Sequence, residues 1–120
     1  MAAGELAPGT NGGCFVRNVE FPDGAQIKHL TFWSSEQTSG SAQINFYRLN
    51  VSTNHLDEIS IVLSQDTSGN RAATNGPIAA GPIAVVNNQH FAYEVRVCLN
   101  DSHTVFYSAR ITYTYSNAGD

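Results

Sequence analysis

The run Phe91-Ala92-Tyr93-Glu94-Val95-Arg96-Val97-Cys98-Leu99 and the run Val105-Phe106-Tyr107-Ser108-Ala109-Arg110-Ile111-Thr112-Tyr113-Thr114-Tyr115 decide the fold. In the first, Phe91, Tyr93, Val95, Val97 and Leu99 alternate with Ala92, Glu94, Arg96 and Cys98. Period-two alternation puts the first set on one face of a half-buried strand. In the second, the same period puts Val105, Tyr107, Ala109, Ile111, Tyr113 and Tyr115 on one face, with Phe106, Ser108, Arg110, Thr112 and Thr114 on the other. The turn-like Asn100-Asp101-Ser102-His103 between them predicts an antiparallel hairpin. Setting Leu99 against Val105 then brings Val97 to Tyr107, Val95 to Ala109 and Tyr93 to Ile111. On the other face it makes Glu94 and Arg110 a structural salt bridge.

Working outward, further strands read at Cys14 to Glu20, Gln26 to Trp33, Ala42 to Val51 and His55 to Ser64. Pro22-Asp23-Gly24, the polar run Ser34 to Ser41 and Ser52-Thr53-Asn54 separate them with turn chemistry. Gln65 to Gly76 is polar and reads as a long loop. The echo Gly76-Pro77-Ile78-Ala79 and Gly81-Pro82-Ile83-Ala84 is too short for a solenoid and reads as an irregular edge strand leading into Val85-Val86. Apolar residues nowhere recur at helical spacing over three turns. The expectation is an all-β fold, a single antiparallel β-sandwich of jelly-roll type spanning residues 14–116. Small, Pro/Gly-punctuated residues make 1–13 a flexible N-terminal tail, and 117–120 form a C-terminal tail.

At 120 residues with 42% hydrophobic content, one core is sufficient for folding and a second domain is not expected. Six cations against ten acids, a net charge of −4, exclude a nucleic-acid surface, which needs several cations on one face. No apolar stretch approaches the roughly 18 residues of a membrane span, so no membrane insertion is expected. Thirty-six residues are Ser, Thr, Asn or Gln, and Lys occurs once, at Lys28. Polar amide and hydroxyl faces cost less to desolvate than charged ones, which favours contact with another surface.

Phe21-Pro22-Asp23-Gly24-Ala25, Ile27 to Phe32, Ile44 to Leu49 and Ala109 to Thr114 together resemble a group of small secreted bacterial β-sandwich proteins. Those share a "PDGA" turn, a strand ending in "LTF" and a closing strand of the "VRITYT" kind. The resemblance runs from about Gly12 to Tyr115 and implies an extracellular or cell-surface location. In that group a cysteine near the start of the domain is often accompanied by one just before the closing "VRI". Cys14 stands at the first position, Ser108 and Ala109 stand at the second, and Cys98 lies one strand earlier. Cys14 and Cys98 therefore either form one bridge or stay as free thiols. A bridge would close a loop of about 85 residues and contribute roughly 4 kcal/mol in the chain-entropy model.

Chemistry-bearing patterns are sparse. Asp101, Ser102 and His103 are consecutive, whereas triads converge from separated positions, so they read as a turn. His29, His55, His90 and His103 lack ligand spacing, and Asp57, Glu58 and Asp66 lack a calcium-loop pattern; neither a metal nor a cofactor is expected. The aromatic residues carry more. Phe106 is out of phase with Tyr107, Tyr113 and Tyr115, so one thin core does not hold them all and some apolar faces stay uncovered. The expected function is a non-catalytic secreted or surface module that self-associates through strand faces as a closed homo-oligomer, a trimer first. The polar loops would meet a partner. The alternative is a carbohydrate-binding, lectin-like module with a glycan ligand held by Trp33, Tyr47, Asn45, Tyr113 and Tyr115. A second alternative is a small β-barrel enzyme shaping its substrate in an apolar cavity.

Overall fold

A computed structural model describes residues 13–36, 42–64, 69–100 and 104–116. Seven strands follow one another: β1 (Gly13–Val19), β2 (Gln26–Ser35), β3 (Ala42–Asn50), β4 (Leu56–Leu63), β5 (Ala72–Gly76), β6 (Phe91–Leu99) and β7 (Val105–Thr114). They form two antiparallel sheets, one ordered β1-β6-β3-β4 and the other β5-β2-β7. Pairing β2 with β7 and β3 with β6 nests the second half of the chain on the first, as a ribbon wrapped across both sheets. This is an all-β sandwich of jelly-roll-like connectivity.

The inward positions of β3 and β6 are Ala42, Ile44, Phe46, Tyr93, Val95, Val97 and Leu99, and all are buried against Ile27, Leu30 and Phe32 of β2 and Phe106, Ala109 and Ile111 of β7. Phe32, Phe46 and Phe106 fill the space between the sheets, each burial contributing about 2–3 kcal/mol.

The turn after β1 follows its chemistry. Gly24 takes φ 87°, a region costly for other residues, and the Ala25 N–H donates to the Pro22 carbonyl at 3.1 Å. Between β3 and β4, the Asn50 side-chain oxygen accepts from the N–H groups of Ser52 and Thr53, and Asn54 sits at φ 61°.

Several expectations are corrected. The β6 and β7 runs do not pair: β6 lies between β1 and β3, while β7 pairs with β2 in the opposite sheet. The Glu94–Arg110 salt bridge goes with that hairpin, since Glu94 stands opposite Asn18 and Tyr47 and Arg110 stands opposite Thr31. A five-residue connection serves an arch between sheets as well as a hairpin, and alternation alone does not tell them apart. Phe106 is not surplus. The register shifts between Trp33↔Ser108 and Ser34↔Phe106, leaving Tyr107 as a bulge that resets the phase and turns Phe106 inward. Ser34 and Ser35 belong to β2 and are buried, and Ala72–Gly76 is an edge strand rather than loop. The Gly-Pro-Ile-Ala echo is not a strand. Pro82–Ala84 is one 3-10 turn, and Ile78 and Ile83 pack against the core from it. Residues 37–41, 65–68 and 101–103, which carry most of the polar-loop expectation and Asp101, Ser102 and His103, lie outside the described residues, as do 1–12 and 117–120.

Candidate functional site: the outer face of the three-stranded sheet

In β2, Leu30 and Phe32 point into the core, so Thr31 and Trp33 stand on the outer face. The register brings Asn75 and Ala73 of β5 beside them on one side and Arg110 and Ser108 of β7 on the other. The Thr31 hydroxyl donates to Asn75 Oδ1 at 2.9 Å, and His29 Nδ1 shares a 3.1 Å hydrogen bond with Thr112 Oγ1 one step further along. The Arg110 guanidinium lies over the Trp33 ring, 5.4 Å from its centroid. The bulged Tyr107 meets Ser35 through its hydroxyl at 3.2 Å, and Arg71 lies over the Tyr107 ring at 4.6 Å. Each ring thus carries a cation on its face, an attraction worth about 0.5–1 kcal/mol at an exposed position.

Charge is divided unevenly between the sheets. Strands β2, β5 and β7 hold Lys28 and Arg110, with Arg71 directly before β5, and no Asp or Glu. The other sheet holds Arg17, Arg48 and Arg96 against Asp57, Glu58 and Glu94. In a chain of net charge −4, the strands of one sheet therefore carry no carboxylate and are positive.

The residues expected to hold a ligand do not meet. Trp33 is on the face just described. Tyr47 and Asn45 are on the outer face of the four-stranded sheet, across the molecule. There Gln43 Nε2 donates to Asn45 Oδ1 at 2.8 Å and Asn45 Nδ2 donates to Glu58 Oε1 at 2.7 Å, which commits the amide to its neighbours. Tyr47 is only 9% exposed and offers no open ring. Burial, and then the hydrogen bond to Glu94, hold its phenol above the usual tyrosine range. Tyr113 sits on the core side at the open end of the sandwich, edge-on to Phe21 with centroids 5.6 Å apart. With Asn18, Val19, Glu20, Phe21 and Ile111 it lines a groove of about 500 Å³. Tyr115 lies just past β7, half-buried against the core. The outward face of β2 is readable in the alternation of Leu30, Thr31, Phe32 and Trp33, but the partners Asn75, Arg71 and Tyr107 depend on register and a bulge that local sequence does not display.

Cys14 and Cys98, directly opposite in the β1–β6 register, are joined by a disulfide on the outer face of the four-stranded sheet. His55 pairs with Asp57 at 3.4 Å and His90 stands edge-on to Phe91, so neither joins His29. Among the described residues no group of three or more His, Cys, Asp or Glu converges to hold a metal. Among them, too, no helix is long and apolar enough to cross a membrane.

No protein-family model matches the sequence, and no curated protein does. Among solved structures, the chain is similar to the CBM22-1–GH10 modules of Clostridium thermocellum endo-1,4-beta-D-xylanase 10B, complexed with xylohexaose. Identity is 11% and the TM-score 0.45, over 93% of this chain and 26% of that one, so the chain spans about a quarter of that structure's length.

Proposed function

We propose that this chain is a non-catalytic carbohydrate-binding module that receives its ligand on the outer face of the three-stranded sheet. One observation carries the reading. That face brings a half-exposed indole, the hydroxyls of Thr31, Ser108 and Thr112, the Asn75 amide and two guanidiniums together on rigid strands. Saccharide hydroxyls require such a set of fixed donors and acceptors, with a ring edge or face against the sugar's C–H surface. The disulfide between Cys14 and Cys98 suits an oxidising, extracellular setting.

Affinity electrophoresis through gels containing neutral or acidic polysaccharides tests it. At least one polysaccharide is expected to retard the wild type, and Trp33→Ala to abolish most of that retardation. Free migration in every gel, or retardation indifferent to Trp33→Ala, rejects the reading.

Self-association is a second reading, favoured by a different surface. Leu56, Ile61 and Leu63 are 52%, 53% and 56% exposed and share the outer face of the edge strand β4. Three large apolar side chains on one edge strand form the kind of patch that a subunit contact buries. Light scattering is expected to show a closed oligomer, a trimer first, that falls to the 12.9 kDa monomer on Ile61→Lys. A wild type already monomeric at micromolar concentration refutes it.

A further inference from the structure

We propose that the ligand is a carboxylated saccharide, a uronate-bearing polymer, with Arg110 and Arg71 as two separate carboxylate forks. This rests on the carbohydrate-binding reading and goes beyond it to the chemical class of the sugar.

The argument comes from three guanidiniums in one molecule. Arg48 lies over the Phe91 ring at 3.8 Å, and its Nε donates to Asp57 Oδ2 at 2.9 Å. The ring holds the guanidinium plane while the edge of that plane, where the N–H donors are, holds a carboxylate. Arg110 over Trp33 and Arg71 over Tyr107 repeat the first half of this arrangement. The second half has no source within β2, β5 and β7, which contain no carboxylate, and Glu36, directly after β2, is buried and accepts from Ser64 Oγ. Among the described residues, the nitrogen–oxygen ion pairs within 4 Å are Arg48–Asp57 and His55–Asp57. Among the described residues, two guanidiniums seated over rings thus have no carboxylate partner, on strands that otherwise offer hydroxyls and amides. A ligand that supplies carboxylates to the forks and hydroxyls to Thr31, Asn75 and Ser108 completes both.

Spacing selects a polymer over a single sugar. Arg110 of β7 stands opposite Thr31, whereas Arg71 directly precedes Ala72, which stands opposite Ser34, three residues along β2 and on its other side. About 10 Å of strand and two inter-strand steps of about 5 Å separate the two backbone positions, more than one carboxylate spans. Two forks on one chain act by effective concentration, so affinity rises with length until both are engaged. Arg110 also occupies space over the indole, so recognition falls on donor edges more than on ring stacking.

The test compares polygalacturonate with its methyl ester, which keeps the sugar backbone and removes the charge. Titration calorimetry of the full chain is expected to show binding to polygalacturonate, weakened at least about tenfold by esterification. Arg110→Gln and Arg71→Gln should each cost about tenfold, and Arg110→Lys as much as Arg110→Gln, because lysine keeps the charge and loses the planar fork. Arg96→Gln, an equal loss of charge on the other sheet, should leave binding unchanged; circular dichroism confirms that each variant is folded. Equal affinity for the ester, retention of binding by Arg110→Lys, or an equal loss in Arg96→Gln overturns the proposal. Binding to neutral polysaccharides alone, still lost on Trp33→Ala, overturns it and leaves the carbohydrate-binding reading standing. Binding to no polysaccharide overturns both.

Discussion

Removing the disulfide by Cys14→Ser/Cys98→Ser should reveal how this sandwich holds an edge strand. The bridge closes a loop of 84 residues, for which chain entropy assigns about 4.5 kcal/mol at 25 °C. Almost no packing loss is added. Cys14 is exposed and Cys98 half-exposed on the outer face, so serine leaves neither a cavity nor a buried unpaired group. The native fold should persist, because β1 keeps its ladder to β6 and Val19 and Phe15 stay against the core. The effect therefore lies in the unfolded chain, which becomes larger and exposes more surface. Urea unfolding should show the midpoint falling by about 2 M, taking a slope near 2 kcal/mol/M for a domain of this size, and the slope itself rising in the serine variant. Amide exchange should quicken first along Gly13–Val19, since β1 is bonded on one side only. A midpoint change below about 0.5 M with an unchanged slope would refute the reasoning. It would mean that the cross-link does not limit the unfolded ensemble, or that the unfolded chain already keeps β1 near β6.

Three further outcomes are expected. Gly76→Ala should cost about 1–2 kcal/mol by thermal or urea unfolding, because its Cβ would lie 2.8 Å from Ser60 Oγ, 3.0 Å from Leu30 Cδ2 and 3.1 Å from Val62 Cγ1; an unchanged or raised stability refutes the packing argument. Among the described residues the buried Ser60 hydroxyl has no hydrogen-bond partner, so Ser60→Ala should relieve part of that cost, with a favourable coupling of about 1 kcal/mol in the double variant. Tyr47 binds its proton more tightly folded than unfolded, so its contribution is complete below the ordinary tyrosine value of 10.0 and is lost as pH rises through the higher folded value. Stability should therefore decline above pH 10, and Tyr47→Phe should flatten that decline; an identical slope in the variant refutes the assignment.

The class of fold was legible because alternation in Phe91–Leu99 and in Ala42–Phe46 is imposed by one buried face, a local consequence of sandwich geometry. Pairing was not legible, for a reason visible in Glu94 and Arg110. An opposite-charge match across a turn carries little information, because each group finds another partner on its own sheet, Glu94 the Tyr47 hydroxyl and Arg110 the Trp33 ring. Phase was lost at bulges. At Lys28, Ile59 and Tyr107 an extra residue enters the strand, so Ile27 and Leu30, or Ile59 and Ser60, are both buried without alternating. The site suffered from the same limits. Trp33 could be placed on an outward face from β2 alone, but its companions come from β5 and β7, and Tyr107 faces outward only because the bulge turns it. The absence of carboxylates from β2, β5 and β7 was present in the sequence throughout. It acquired meaning only when sheet order assigned those three segments to one surface. The strands then resolved into a balanced sheet and a positive one, with the net negative charge carried by the segments outside them, and the positive sheet is where the proposed carboxylated ligand would have its partners.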